Sequence, residues 1–198
     1  MRQNLRCYHF CMIRAGFVLA GGRSSRMGRD KALLPFKGRT LLECVALEVH
    51  AVTGDVTLVG DINRHSYLSY PVIEDIFPGR GPLAGIHAAL TVSRAEWNLI
   101  VACDMPDLTS DFLRKVMERA ESGSADAVLP AGPSGLPEPL CAAYRRRSLT
   151  SIADALERGI RKVTDGLAGL EVDIWRVPEA RYFHNFNTPD DLSSYANG

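Results

Sequence analysis

Residues 17–31, FVLAGGRSSRMGRDK, join a short apolar run to a glycine turn and then to a group of cationic side chains. The run from Ala15 to Ala20 is continuous and apolar, which is typical of a buried parallel strand, and Gly21 and Gly22 follow where the chain must turn. Glycine lets the main chain approach a ligand closely, so the N–H groups of this turn can face an anion. The stretch therefore predicts a strand that ends in a phosphate-binding loop.

The cations of this loop do not belong to either of the common phosphate-binding motifs. A Walker loop needs G-x-x-x-x-G-K-[ST], but the segment 22–28 is one residue too long and Arg29 follows it. A dinucleotide fingerprint needs G-x-G-x-x-G, which the glycines at 21, 22 and 28 do not provide. We interpret Arg26 and Lys31 as phosphate ligands of a different kind of loop.

Composition limits the class of protein. The 198 residues are 46% hydrophobic and no serine-rich or proline-rich linker divides them, which predicts one domain with one substantial core. The 23 basic and 23 acidic residues cancel, which argues against nonspecific binding to nucleic acid or to an anionic membrane. No segment approaches membrane-spanning length, so we expect a cytoplasmic protein. The five cysteines are scattered, which favours buried reduced thiols.

Residues 1–14 fit the expected fold poorly. We interpret them as an N-terminal extension, either disordered or upstream of the true start, and we assign residues 15–198 to the domain. Cys7, His9 and Cys11 lie close together, but no second pair follows at zinc-site spacing, so the sequence does not predict a metal there.

Short apolar runs alternate with helical segments along the rest of the chain. Residues 56–59, 72–73 and 99–103 predict three further strands, and Pro82 suits the first turn of a helix that extends through Leu90. Apolar residues at helical spacing predict another helix; they are Leu41, Leu42, Val45, Ala46 and Val49. The alternation predicts an α/β fold with a mainly parallel sheet that is covered on both faces.

Two aspartates stand where predicted strands end. Asp75 follows residues 72–73, and Asp104 follows residues 99–103. Ligands of open α/β sheets bind beyond the carboxyl ends of the strands, so we expect both aspartates and the Gly21 turn to converge on one crevice. Taken alone, each aspartate is better explained as the cap of a following helix or turn.

Residues 19–31, LAGGRSSRMGRDK, resemble the signature loop of the molybdenum cofactor guanylyltransferases. The resemblance covers residues 15–195 and continues in four segments: residues 81–85 (GPLAG), 103–106 (CDMP), 138–141 (EPLC) and 185–189 (NFNTP). It implies a single-domain, three-layer, Rossmann-like nucleotidyltransferase fold with a mostly parallel central sheet. It also implies a magnesium-dependent enzyme that transfers GMP from GTP to molybdenum-bearing molybdopterin, giving molybdopterin-guanine dinucleotide and pyrophosphate.

The resemblance also implies roles for individual residues. Arg26, Lys31 and Asp104 are the implied catalytic residues, with the two cations on the triphosphate and Asp104 on magnesium. The implied GTP site consists of Leu19, Ala20, Gly21, Gly22, Lys31, Asp75, Gly81, Gly85 and Asp104. The resemblance implies that Asn185 and Asn187 bind molybdopterin. Amides both donate and accept hydrogen bonds, which suits a polar heterocycle or an oxyanion, and alternate residues of an extended segment face the same side.

The choice of GTP depends on two segments. Relatives that use CTP usually carry Leu-Ala-Ala-Gly where this chain has residues 19–22, so the missing Cβ at Gly21 leaves more room near the base. The segment 81–85 also resembles the guanylyl type. If an alanine at position 21 left the nucleotide preference unchanged, this steric argument would fail.

The implied chemistry is limited by charge. The second pKa of a phosphate monoester is ~6, so the nucleophile is largely dianionic at neutral pH and needs no general base. Two anions must meet, so the site needs magnesium, fixed cations and backbone donors. The expected partners are GTP, molybdopterin, and acceptor proteins or other proteins of molybdenum cofactor biosynthesis.

Alternatives remain at this stage. The chain could be a related nucleotidyltransferase that makes the cytidine form of the same cofactor or a nucleotide sugar, or a carrier of nucleotide or cofactor without turnover. The basic run 145–147 also has two interpretations: solvated helix surface, which we favour, or a group that steers the pterin phosphate.

Overall fold

The computed structural model describes residues 14–20, 31–77 and 79–186 of the chain. The strands, in chain order, are Arg14–Leu19 (β1), Pro35–Phe36 (β2), Arg39–Thr40 (β3), Thr57–Val59 (β4), Val72–Ile73 (β5), Trp97–Ala102 (β6), Ala127–Ala131 (β7), Cys141–Arg145 (β8) and Val172–Arg176 (β9). The helices are Leu41–Thr53 (α1), Ile62–His65 (α2), Pro82–Val92 (α3), Ser110–Ser122 (α4), Ser148–Glu157 (α5) and Val163–Gly166 (α6). Single 3-10 turns span Lys31–Leu33 and Ala180–Phe183.

Seven strands form one mixed sheet in the order β5-β4-β1-β6-β8-β7-β9, and β2 pairs with β3 in a separate hairpin. The strands from β5 to β6 are parallel, and β7 is parallel to β9. Only β8 runs against its neighbours, between β6 and β7. The predicted mostly parallel sheet is confirmed, whereas the reversed strand was not predicted.

Helices cover both faces of the sheet, because alternate residues of each buried strand point to opposite sides. Val18 of β1 packs into a cluster with α1 and α4, whereas Phe17 and Leu19 pack into a second cluster with α3 and α5. The three layers expected from the sequence are therefore present. None of the helices in the described ranges has the length and apolar character that crossing a membrane requires.

The start of α1 is determined locally. Thr40 caps the helix: its hydroxyl accepts a hydrogen bond from the Glu43 N–H at 3.2 Å, and the Glu43 carboxylate accepts one from the Thr40 N–H at 2.8 Å. This reciprocal pair satisfies two donors that would otherwise lack partners. The helix ends at Thr53. Gly54 follows as its C-cap with a positive φ of 82°, which suits glycine.

Gly16 lets α1 pack closely against β1. A Cβ at this position would lie 2.5 Å from Thr53 Oγ1, 2.6 Å from Val49 Cγ1 and 2.8 Å from the carbonyl oxygen of Asp55. We therefore expect Gly16→Ala to lower the free energy of unfolding by about 1–3 kcal/mol in a urea titration. In Gly169→Ala the new Cβ meets nothing within 4 Å, so this control should change the value by less than about 0.5 kcal/mol. Equal effects at the two positions would contradict the packing argument.

The three cysteines in the described residues, Cys44, Cys103 and Cys141, are free thiols. Cys103 and Cys141 are buried, and burial raises the pKa of the Cys141 thiol far above its ordinary value. The expectation of reduced thiols is confirmed for these residues. The predicted N-terminal extension, residues 1–14, lies outside the described residues except for Arg14. Arg14 already belongs to β1.

Candidate functional site

Four parallel strands end at the same edge of the sheet. Leu19 at the end of β1 pairs with Val59 of β4 and with Ala102 of β6, and Val59 pairs with Ile73 of β5. Backbone hydrogen bonds continue past the strand ends, including one of 3.1 Å from the Cys103 N–H to the Leu19 carbonyl oxygen. The residues that follow these strands therefore surround one crevice, as the topology argument predicts.

Lys31 and Asp104 meet at this edge. The Lys31 Nζ lies 3.1 Å from Asp104 Oδ2, although the residues are 73 positions apart in the chain. Asp104 directly follows the extension of β6, and Lys31 begins the 3-10 turn that leads into the β2–β3 hairpin. The side chains are 15% and 28% exposed, so a ligand can reach both from the crevice.

A second carboxylate lies near Asp104. Glu138 Oε1 accepts a hydrogen bond of 3.1 Å from the Leu140 N–H. Burial raises the pKa of Glu138, and the negative charge of Asp104 raises it further. The backbone N–H of Phe186 donates to the carbonyl oxygen of Asp104 at 2.9 Å, which ties the Asn185 segment to the same edge.

Glu138 was not among the predicted site residues. It lies at the crevice because β8 is antiparallel, so the amino end of β8 is held against the carboxyl end of β6 by a hydrogen bond of 2.7 Å from the Ala102 N–H to the Leu140 carbonyl oxygen. A sequence signal exists, since an acidic residue stands between Pro137 and Pro139 directly ahead of an apolar run. That signal does not reveal the strand direction, which decides the position of Glu138.

Asp75 follows β5 and lies at the same edge of the sheet. Its Oδ1 atom is buried and accepts no hydrogen bond from any residue that the structure describes. A buried acceptor without a partner is costly and calls for an explanation, of which an unplaced ligand is one.

The glycines of the 81–85 segment differ in their surroundings. Gly81 precedes α3 with a positive φ of 76°, which explains the glycine at that turn. Gly85 is buried, and a Cβ there would lie 3.2 Å from Leu19 Cδ2. The absence of a side chain at Gly85 thus lets α3 approach β1, so its predicted contact with the nucleotide stays a prediction beside this packing role.

Several predicted site residues cannot be placed. Gly21, Gly22, Arg26 and Asn187 lie outside the described residues, so their roles stay predictions. Ala20 is described and buried, and its backbone N–H donates to the Val59 carbonyl oxygen at 2.9 Å, so that donor is already engaged in the sheet.

The basic run 145–147 lies at the opposite edge of the sheet. Arg145 pairs in register with Trp97 at the start of β6, five positions before Ala102, the strand end that faces the crevice. Its guanidinium stacks over the Trp97 ring and bonds to Glu96, while Arg147 pairs with Asp126. The favoured interpretation holds in part: Arg146 and Arg147 are exposed, but the run lies at the end of β8 and before α5 instead of on a helix surface. Steering of the pterin phosphate stays a prediction, which the distance of this edge from the crevice does not favour.

Few carboxylates lie together in the described part of the crevice, which limits the ligands that the chain offers to a metal ion. Within residues 14–20, 31–77 and 79–186, no group of three or more His, Cys, Asp or Glu side chains is arranged to hold a metal ion. Asp104, with Glu138 nearby, supplies oxygen donors that suit a hard divalent cation. Such a site would need further oxygen ligands from water or from a bound phosphate.

Known proteins are similar to this chain in sequence and in fold. Residues 16–172 match the MobA-like NTP transferase domain. The chain is 31% identical over 179 residues to a probable molybdenum cofactor guanylyltransferase of Flavobacterium johnsoniae, an alignment that covers 89% of this chain and 93% of that protein. It is 35% identical over 185 residues to a protein of the same name from Pelotomaculum thermopropionicum, with 89% of each chain covered.

A solved structure supports the same assignment. The crystal structure of molybdopterin-guanine dinucleotide biosynthesis protein A from Archaeoglobus fulgidus superposes with a TM-score of 0.78 at 31% identity, covering 91% of this chain and 95% of that one. The family match over residues 16–172 includes the crevice ends of β1, β4, β5 and β6 as well as Lys31, Asp104 and Glu138. This chain therefore belongs to the MobA-like NTP transferase family.

Proposed function

We propose that the protein transfers GMP from GTP to molybdopterin that carries molybdenum, which yields molybdopterin-guanine dinucleotide and pyrophosphate. The observation that carries the proposal is the contact of 3.1 Å between Lys31 and Asp104 at the carboxyl edge of the parallel strands. It supplies a cation and a metal-binding carboxylate where phosphates bind in this fold class. The names of the relatives from Flavobacterium johnsoniae and Pelotomaculum thermopropionicum support the same activity.

Lys31 provides a fixed positive charge for the triphosphate. Its ammonium group pairs with Asp104, and a triphosphate in the crevice would compete for that ammonium group. Positive charge that is already fixed where negative charge develops in the transition state is the main source of rate enhancement in phosphoryl-type transfers. The chain need not supply a base, because the attacking phosphate monoester is already largely dianionic at neutral pH.

Magnesium fits the donors of the crevice. Asp104 would hold it, because Mg²⁺ is usually bound by one or two carboxylates together with substrate phosphates and water. When bound, the ion would neutralise charge on the triphosphate and on the leaving pyrophosphate. Glu138 supplies a second negative charge in the same neighbourhood, which favours retention of a cation there.

Asp75 supports GTP as the donor. An ionised carboxylate only accepts hydrogen bonds, and its buried Oδ1 lacks a donor within the described part of the chain. Guanine offers an N–H and an amino group on one edge, so it can supply two donors to a single carboxylate. The position of Asp75 beyond β5 places this acceptor in the half of the crevice next to β1 and β4.

The test is pyrophosphate release with molybdopterin and each of GTP, CTP, ATP and UTP in the presence of magnesium. We expect activity with GTP alone. Activity with CTP alone would favour the cytidine form of the cofactor as the product, and turnover only with a sugar phosphate acceptor would favour nucleotide-sugar synthesis. Binding of GTP without release of pyrophosphate with any acceptor would favour a carrier. The cytoplasmic location and the acceptor proteins stay proposals until the product is traced in cells.

A further inference from the structure

His87 is a buried histidine that the transfer described above does not use. It lies in α3 and is 6% exposed, and burial lowers the pKa of its imidazole, so the ring is neutral at pH 7. Its Nδ1 atom is buried and has no hydrogen-bond partner among the residues that the structure describes. A buried polar atom without a partner costs free energy, so a histidine at this position calls for an explanation.

The imidazole of His87 packs against Phe77. The two ring centroids are 5.1 Å apart and the ring planes are inclined at 80°, which is the edge-to-face geometry that aromatic pairs prefer. Phe77 is half-buried and packs against the apolar cluster that includes α3 and α5. Its carbonyl oxygen accepts a hydrogen bond of 3.1 Å from the Arg80 N–H, just ahead of α3. The aromatic pair therefore fixes Phe77 against α3.

Asp75 lies between this aromatic pair and the end of β5. On the strand side, the Ile73 carbonyl oxygen accepts a hydrogen bond of 2.8 Å from the Gly60 N–H. On the other side, the neighbouring Ile76 is 67% exposed and contributes little packing, whereas Phe77 is fixed. The placement of the Asp75 carboxylate thus depends on the strand end and on the contact between Phe77 and His87.

We propose that His87 is a positioning residue for recognition of the base: its edge-to-face contact with Phe77 holds Asp75 where the carboxylate meets the guanine of GTP. This inference rests on the proposed function, because it takes Asp75 as the acceptor for the base. A carboxylate that is fixed before the nucleotide binds recognises it without the entropic cost of ordering a free segment. The need for a ring at this contact explains why the position holds an aromatic side chain despite its unpartnered nitrogen.

His87→Ala tests the contact through the choice of nucleotide. Phe77 then lacks the ring that it packs against and Asp75 is less well fixed, whereas Lys31 still meets the triphosphate. We expect the Kd for GTP, measured by calorimetric titration in the presence of magnesium, to rise about tenfold. The Kd for ATP should stay within about twofold, because ATP offers the same triphosphate with a different base. A residue that only supports the fold would weaken the binding of both nucleotides alike.

Two further substitutions at the same position separate the ring from the volume that it fills. His87→Phe keeps an aromatic ring without the unpartnered nitrogen, so its Kd for GTP should stay within about twofold of wild type. His87→Leu fills most of the volume without a ring, so its Kd for GTP should rise at least about threefold. The leucine variant also supplies the test if the alanine variant does not fold.

A double-mutant cycle tests whether His87 acts through Phe77. Phe77→Ala should weaken the binding of GTP about as much as His87→Ala does, because each removes the same contact. The double variant should bind GTP no more than about twofold more weakly than either single variant. Independent roles would instead multiply the two losses.

Ile152→Val is the control for loss of core packing. Ile152 is fully buried in α5 and belongs to the apolar cluster against which Phe77 packs. Removing one methyl group there should lower the melting temperature, whereas the Kd values for GTP and ATP should stay within about twofold of wild type.

Nucleotide binding is measured without an acceptor, so its outcome is separate from that of the proposed function. If wild type binds GTP more tightly than ATP but releases no pyrophosphate with molybdopterin, the proposed function fails while the variants still test His87. The inference would be overturned by equal losses of GTP and ATP affinity in a folded His87→Ala, by a loss in His87→Phe as large as in His87→Ala, or by multiplied losses in the double variant. A wild type without preference for GTP over ATP would also overturn it.

Discussion

Asp104→Asn is expected to lower the rate of GMP transfer about 100-fold or more. The amide has nearly the same size as the carboxylate, but it carries no negative charge to hold magnesium, and the ion pair with Lys31 is lost. The loss should appear in kcat. Bound magnesium would neutralise the charge that builds up on the leaving pyrophosphate, and the variant lacks the carboxylate that holds this ion. Raising the magnesium concentration should recover only part of the rate.

The fold should tolerate this change. The Lys31–Asp104 pair is partly exposed to solvent, so its removal should alter the free energy of unfolding by less than about 1 kcal/mol. The control is Asp111→Asn in the first turn of α4, where the side chain is 86% exposed, and its activity should stay within about twofold of wild type. Retention of more than a tenth of wild-type activity in Asp104→Asn would contradict the assignment of Asp104 to the metal.

Lys31→Ala should also abolish most of the pyrophosphate release with GTP and molybdopterin, by about 100-fold. The alanine removes the fixed cation that compensates the repulsion between the two reacting phosphates. Lys31→Arg keeps the charge but replaces a compact ammonium by a planar guanidinium, so we expect an intermediate rate. The control is Lys115→Ala on the exposed side of α4, which should leave the rate within about twofold.

The Lys31 variant makes a second prediction with the opposite sign. The ammonium group of Lys31 lies 3.1 Å from Asp104 and compensates its negative charge. Removing it leaves the carboxylate unpaired, so magnesium should bind more tightly to Lys31→Ala than to wild type in the absence of nucleotide. Calorimetric titration with magnesium measures this directly. Weaker metal binding together with slow transfer would indicate local disruption of the site rather than loss of a triphosphate ligand.

The sequence predicted the strands of the crevice because each of them is a short, largely apolar run. The runs at 15–20, 56–59, 72–73 and 99–103 correspond to β1, β4, β5 and β6, with ends that differ by at most two residues. Parallel strands buried on both faces are largely apolar along their length. Their positions in the sequence can therefore be predicted without knowing which strands pair with them. The capping pair at Thr40 and Glu43 is equally local, since it acts over three residues.

The errors concern strand direction. The run at 141–145 has the same apolar character whether the strand is parallel or antiparallel, so periodicity cannot orient it. The orientation decides that Glu138 lies at the crevice and that residues 145–147 lie at the far edge. One undetected reversal therefore accounts for both the missed carboxylate and the position of the basic run away from the crevice.

The amino-acid sequence by itself determined the class of fold, the family and the choice of the cation and the carboxylate that we assign to the site, because these depend on local periodicity and on motifs within short segments. Only the tertiary structure decided that Lys31 and Asp104 are in contact and that the Glu138 segment lies at the same crevice. Those contacts join residues that are far apart in the chain, and they form only when the order and direction of the strands bring the loop ends together. The physical reason is that the packing of the whole core decides which strands are neighbours. The sequence of a single segment favours only the backbone conformation of that segment.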